Sequence, residues 1–119
     1  MSISEKPIHA KLSYKICGFF FAVHNELGRL RNEQEYADGV EQYLKLFKIP
    51  YEREKVLPPS FAGEASGRNR IDFIVDDKVV LEIKSKRMIE RMDYYQVKRY
   101  LVTMNKKLGL LVNFRDKYL

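Results

Sequence analysis

RIDFIVDDKVVLEIKSK, residues 70–86, decides the fold and raises the question of function. Two apolar-rich runs, RIDFIV (70–75) and VVLEIK (79–84), flank Asp76, Asp77 and Lys78, so the stretch reads as a β-hairpin. RIDFIV alternates, whereas VVLEIK is more continuously apolar, the pattern of an interior strand covered on both faces. With a three-residue loop at 76–78, position 75 faces 79 and Asp72 falls directly opposite Glu82. Their Cβ atoms would then be about 5 Å apart on the same face. Lys84 projects from that face as well, beside Arg70. A two-residue loop would move Glu82 one step along and undo the pairing.

Two carboxylates forced together need a shared proton or a cation. Mg²⁺ suits the arrangement, because it accepts one or two carboxylates and a main-chain carbonyl, here that of Ile83, and leaves room for a phosphate oxygen. A metal at such a site activates water and offsets charge growing on a phosphoryl group, and a neighbouring ammonium such as Lys84 orients the nucleophile. That is the chemistry of phosphodiester hydrolysis. The plainer alternative is a solvated face on which Lys84 neutralises one acid and Arg70 the other, E-x-K being a short and common pattern.

Outward from the hairpin, Leu12, Ile16, Phe19, Phe20, Val23 and Leu27 recur at helical spacing and Gly28 follows as a stop, which predicts a helix over 11–27. Asn32 caps a second helix, with Glu35 completing a capping box, and Glu33, Tyr36, Ala37, Val40, Leu44 and Phe47 share one face. YEREKVL (51–57) reads as extended and SFAGEASGRN (60–69) as a loop. Residues 88–105 return to helical spacing, with Tyr94, Val97, Leu101 and Met104 on one stripe, and KLGLLVNF (107–114) reads as a strand. The order is helix, helix, three strands, helix, strand: a mixed α/β layer fold.

At 119 residues the chain has the size of one domain with no linker, and 45% hydrophobic with 32% charged residues describe a globular protein. The longest apolar run, ICGFFFAV (16–23), is too short to span a bilayer, and MSISEKPIHAK has no apolar signal region, so the expected location is the cytoplasm, with no membrane partner. A single Cys17 cannot form an internal disulfide, and with only His9 and His24 beside it a structural zinc site is not expected. A net charge of +6 suits a polyanionic partner, because lysine and arginine gain affinity by displacing counterions from phosphates. Lys84, Lys86, Arg87 and Arg91, with the later Lys98 and Arg99, would flank a phosphate backbone, and Tyr94 and Tyr95 would offer stacking faces. The competing reading makes the charges a solvated face and the tyrosines packing residues.

A second feature is GRLRNEQEY (28–36), following VHNELG. Together with LSYKICGFFFAVHNELG (12–28), the hairpin, YQVKRYL (95–101) and GLLVNF (109–114), it resembles the GxxExxY family, a branch of the PD-(D/E)XK nuclease superfamily. The resemblance runs from Leu12 to Phe114. It implies a restriction-endonuclease-like core, a mixed sheet flanked by helices, and a nuclease that cleaves nucleic acid, DNA foremost, with Mg²⁺ or Mn²⁺. On this resemblance Asp72 is the motif aspartate, Glu82 and Lys84 are the E-x-K pair, and Glu33 is a helix-borne acid that joins the metal. Gln96 matches a glutamine near the active site, with Tyr100 one turn later. Tyr36 would hydrogen-bond a carboxylate or phosphate, or else belong to the core. Glu33 has its own plain account as a complement to the helix dipole, Glu26 rivals it as the helix-borne acid, and His24 reads as a structural residue. One departure stands out: Leu30 replaces the motif glycine three residues before the glutamate. So small a domain offers little surface for reading sequence, so a homodimer or a partner protein is expected to assist. The same fold without catalysis, a nucleic-acid-binding or assembly module, is the alternative.

Overall fold

In chain order the elements are β1 (Ser2–Ile3), α1 (Ala10–Leu27), α2 (Glu33–Leu46), β2 (Tyr51–Glu52), β3 (Lys55–Val56), β4 (Arg70–Ile71), β5 (Phe73–Val75), β6 (Val79–Lys84), α3 (Arg91–Met104) and β7 (Leu108–Asn113). They are drawn from a computed structural model that describes residues 2–3 and 9–119, so much of the N-terminal stretch MSISEKPIHAK lies outside the described residues. A five-stranded sheet has the order β1-β7-β6-β5-β2, and β3 pairs with β4 in a separate ribbon. The sheet is mixed: β6 and β7 run parallel, and the other pairs are antiparallel.

The hairpin register follows the spacing, with Phe73 opposite Leu81, Ile74 opposite Val80 and Val75 opposite Val79. As the continuous apolar run implied, β6 lies at the centre, and Val79 to Ile83 are all buried. Its alternate residues serve two layers. Val79, Leu81 and Ile83 join Phe73, Val75 and Phe114 against Ile16, Phe20 and Val23 of α1 and Tyr36, Val40 and Leu44 of α2. Val80 and Ile74 turn to the opposite face, where they meet Leu57, Ile71 and Tyr100. Helices therefore flank the sheet on both sides, with α1 and α2 on one face and α3 on the other.

Asn32 caps α2 as expected: its side chain accepts from the Glu35 amide at 2.8 Å, and the Glu35 carboxylate returns to the Asn32 amide. The sequence reading did not include β1, and three further details depart from it. RIDFIV is not one strand but breaks at Asp72, with β4 and β5 in different sheets. YEREKVL is likewise divided, because Arg53 leaves the strand to pair with Asp38 at 2.8 Å and Glu41 at 3.0 Å on α2. The last helix starts at Arg91 rather than residue 88, where the Asp93 carboxylate accepts from the Glu90 amide at 2.7 Å.

Gly109 lets α3 settle close against β7. A Cβ there would lie 2.5 Å from Cγ1 of Val97, a fully buried side chain whose branching leaves it one favoured helical rotamer. Gly109→Ala should therefore cost about 1–3 kcal/mol, read as a lower urea midpoint at unchanged slope. An unchanged midpoint would show that α3 is not held this tightly.

Candidate active site

Beyond the Phe73–Leu81 pair the two strands of the hairpin diverge, and side chains take over from the backbone ladder. The Ile83 N–H donates to Asp72 Oδ2 at 2.7 Å, and the Asp72 N–H donates to Glu82 Oε1 at 3.2 Å. Each carboxylate thus satisfies an amide on the opposite strand, which is why the break in RIDFIV leaves no orphaned donor there. Glu82 is 3% exposed and Asp72 is half-buried.

The electrostatics follow from this burial. Loss of solvent, and after it the charge of Asp72, pushes the Glu82 carboxyl up to about 9, against the pull of Lys84 and the Asp72 amide. Asp72 is raised as well, chiefly by burial, while the Ile83 N–H and Lys84 draw it down and Glu33 and Glu54 add to the rise. Between the two carboxyls a proton is therefore held at neutral pH. Neither acid has a salt bridge among the described residues. Arg70, expected to neutralise one of them, instead donates to the Gly67 carbonyl at 2.8 Å and approaches Glu54 at 3.8 Å.

Lys84, two residues beyond Glu82, points to the α3 side, where its Nζ donates to Gln96 Oε1 at 3.3 Å. Gln96, which the resemblance placed near the site, is thus in contact with Lys84. Glu33 approaches from the start of α2: its Oε2 accepts from the Ser85 N–H at 2.9 Å, and the Ser85 hydroxyl donates to the Arg31 carbonyl at 2.9 Å. A cleft of about 150 Å³ lies between α2 and the hairpin, with Glu33, Arg53, Glu54, Asp72 and Ile83 in its wall, whereas Glu82, Lys84 and Gln96 do not line it.

These donors fit a hard divalent cation in part. Asp72, Glu82 and the Ile83 carbonyl are oxygen ligands at a place where a proton already stands in for a cation. Among the described residues no three His, Cys, Asp or Glu side chains converge as a ready-made metal cage, so Glu33 would have to exchange Ser85 for the ion.

Other expected contacts lie elsewhere. Tyr36 is fully buried and cannot reach a nucleic acid. Its hydroxyl donates to the Gly28 carbonyl at 2.6 Å and accepts from the Arg31 N–H at 3.1 Å, and its ring stacks on Phe114 with centroids 4.3 Å apart. Tyr36→Phe should cost about 1 kcal/mol in urea unfolding, since water can partly replace a bond to an exposed turn. A cost near zero would remove the hydroxyl from the account of that turn. Tyr100, 1% exposed, is also a core residue, and its phenol is raised by burial first and by the charge of Glu82 second. Lys86 does not stand open to a phosphate backbone, because it pairs with Asp93 at 3.0 Å and Glu90 at 3.2 Å. Arg87, Arg91, Lys98, Tyr94 and Tyr95 are exposed, and the exposed Arg99 lies over the Tyr100 ring. His24 contacts the Asp116 carbonyl at 2.9 Å, a structural role, and Glu26 accepts from the Tyr43 hydroxyl, away from the cleft.

Arg53 and Asn113 escaped the sequence reading. Arg53 is held by its two acids over the Phe73 ring, and nothing in YEREK marks it as a cleft residue. Asn113 accepts from the Lys86 N–H at 3.0 Å and donates to the Lys86 carbonyl at 2.7 Å, fixing the chain that leaves β6. A buried asparagine within an apolar run was the available signal.

The family model described as the PD-(D/E)XK nuclease superfamily matches residues 10–119. The mixed sheet with helices on both faces is consistent with the restriction-endonuclease-like fold of that superfamily. No curated protein and no solved structure matches the chain.

Proposed function

This chain belongs to the PD-(D/E)XK nuclease superfamily, and from that membership we propose that it is a Mg²⁺-dependent nuclease of the GxxExxY type, hydrolysing phosphodiester bonds of nucleic acid, DNA foremost, in the cytoplasm. The observation that carries the reading is the crossed pair of a buried Glu82 and a half-buried Asp72 without a neutralising salt bridge. Accepting two amides does not require two like charges side by side, whereas a cation site does.

Asp72, Glu82 and the Ile83 carbonyl would hold the ion, which when bound supplies Lewis acidity toward the phosphate and the attacking water. Lys84 orients that water and offsets charge growing on the phosphoryl oxygens. Gln96, bonded to the Lys84 ammonium, fixes its position on the α3 side of the sheet. Glu33 completes the site once its carboxylate leaves the Ser85 amide. A second copy or a partner protein would widen the surface available to the substrate.

The engagement of Glu33 with Ser85 favours a second reading, a catalytically inactive nucleic-acid-binding or assembly module with the same fold. Calorimetric titration with Mg²⁺ and Mn²⁺, run alongside DNA cleavage on wild type and Asp72→Ala, separates the two. Metal binding and cleavage that both vanish in the variant support the nuclease. A wild type that binds no metal even with DNA present leaves the inactive module.

A further inference from the structure

The cleft at Asp72 continues into a second and larger concavity. That hollow, of about 640 Å³, is lined by Leu30, Arg31, Ser85 and Arg115 among others, and it shares Glu33 and Gln34 with the cleft. The two make one groove. Arg53, Glu54 and Asp72 line one part, Glu33 and Gln34 are common to both, and Arg31 and Arg115 line the other.

Its charges suit a phosphate chain laid across a central acidic site. Arg115 is exposed, and its guanidinium forms no ion pair among the described residues. Among the described residues the Arg31 guanidinium has one ion pair, a surface pair with Glu35 at 3.1 Å, an attachment of small net worth that a phosphate can replace. Leu30 adds an apolar contact. It is 75% exposed beside two arginines, where a duplex would present only sugar and phosphate. An exposed leucine in a backbone track meets a complementary surface when the bases are unpaired and turned outward.

We infer that this groove carries a single nucleic-acid strand, with Arg31 and Arg115 holding phosphates to one side of the bond at Asp72 and Leu30 contacting an unpaired base. The assignment of the bond at Asp72 rests on the nuclease reading. The strand track does not, and it differs from the exposed basic face of α3 at Arg91 and Lys98.

The test is fluorescence anisotropy of the full chain with a short dye-labelled single strand, and with its duplex, in EDTA. Arg115→Glu should weaken single-strand binding about 10-fold or more at low salt and flatten the log–log salt slope by about 0.7 for each phosphate that the variant no longer neutralises. The charge-matched Lys107→Glu, at an exposed position just before β7, should change affinity about 2-fold, the effect of net charge alone. Leu30→Ser should weaken the single strand about 5-fold and leave the duplex unchanged. Equal losses in Arg115→Glu and Lys107→Glu, tighter binding of the duplex, or no binding by wild type would each overturn the inference. Cleavage of the same oligonucleotides with Mg²⁺ keeps the two proposals apart. Selective loss of binding in Arg115→Glu without any wild-type cleavage sinks the nuclease and keeps the groove, and the opposite pattern does the reverse.

Discussion

Asp72→Asn is expected to lower DNA cleavage by about 10³-fold or more while leaving the protein folded. Asparagine keeps an oxygen able to accept from the Ile83 N–H, so the crossed bonds across the hairpin can persist. The charge that would hold a divalent cation is gone, and calorimetry should show that Mg²⁺ binding has gone with it. Lys84→Met makes the useful contrast. It should lower cleavage by about 10²-fold and leave Mg²⁺ binding in place, because the ammonium acts on water and phosphate rather than on the ion. An Asp72→Asn protein that cleaves at the wild-type rate would show that the hairpin acids do not form the centre. Loss of metal binding in Lys84→Met would instead make the lysine part of the scaffold that shapes the acids.

The hairpin was legible because its two strands differ in pattern and its turn chemistry fixes the register. Once Val75 faces Val79, Asp72 must come near Glu82, whatever the rest of the chain does. The capping box at Asn32 and Glu35 was equally local, and so was the run that became β7. The break at Asp72 was not legible, because it exists only where the Glu82 and Asp72 side chains replace ladder hydrogen bonds, an exchange that periodicity does not record. Tyr36 shows the same limit from the other side. Its position one turn from Glu33 suggests the site, yet its fate is decided by the Gly28 carbonyl, the Arg31 amide and the face of Phe114, which lies far away in sequence. Lys86 differs from its expectation for a related reason: a charge run names candidates, and only the packing of Glu90 and Asp93 around one member reveals that it is already paired.

Glu82→Gln is expected to stabilise the metal-free protein at pH 8, by about 1–3 kcal/mol. The sign follows from the carboxyl's position. Glu82 titrates at its ordinary value of 4.5 in the unfolded chain and is pushed up to about 9 in the folded one. Between those values the folded protein holds a proton that the unfolded chain has released. Stability therefore falls as pH rises through this window, and the fall ends above about 9. Below the unfolded value both states are protonated and the cost is absent, so wild type and variant should converge in acid. Glutamine mimics the protonated carboxyl and still accepts from the Asp72 amide, which removes the cost without opening the hairpin. Mg²⁺ opposes this gain. A tenfold excess over its dissociation constant should stabilise the wild type by about 1.4 kcal/mol, more strongly at pH 8 than at pH 6 because binding must expel the proton. The variant, with no charge at position 82 to bind the ion, should lose most of that gain. Urea unfolding across pH, with and without Mg²⁺, reads both effects. A Glu82→Gln protein less stable than wild type at pH 8, with the same pH slope and the same response to Mg²⁺, would mean that the buried carboxyl serves packing alone. A gain without Mg²⁺ that shrinks by about the wild type's Mg²⁺ response would mark a position where folding stability is given up to hold a cation.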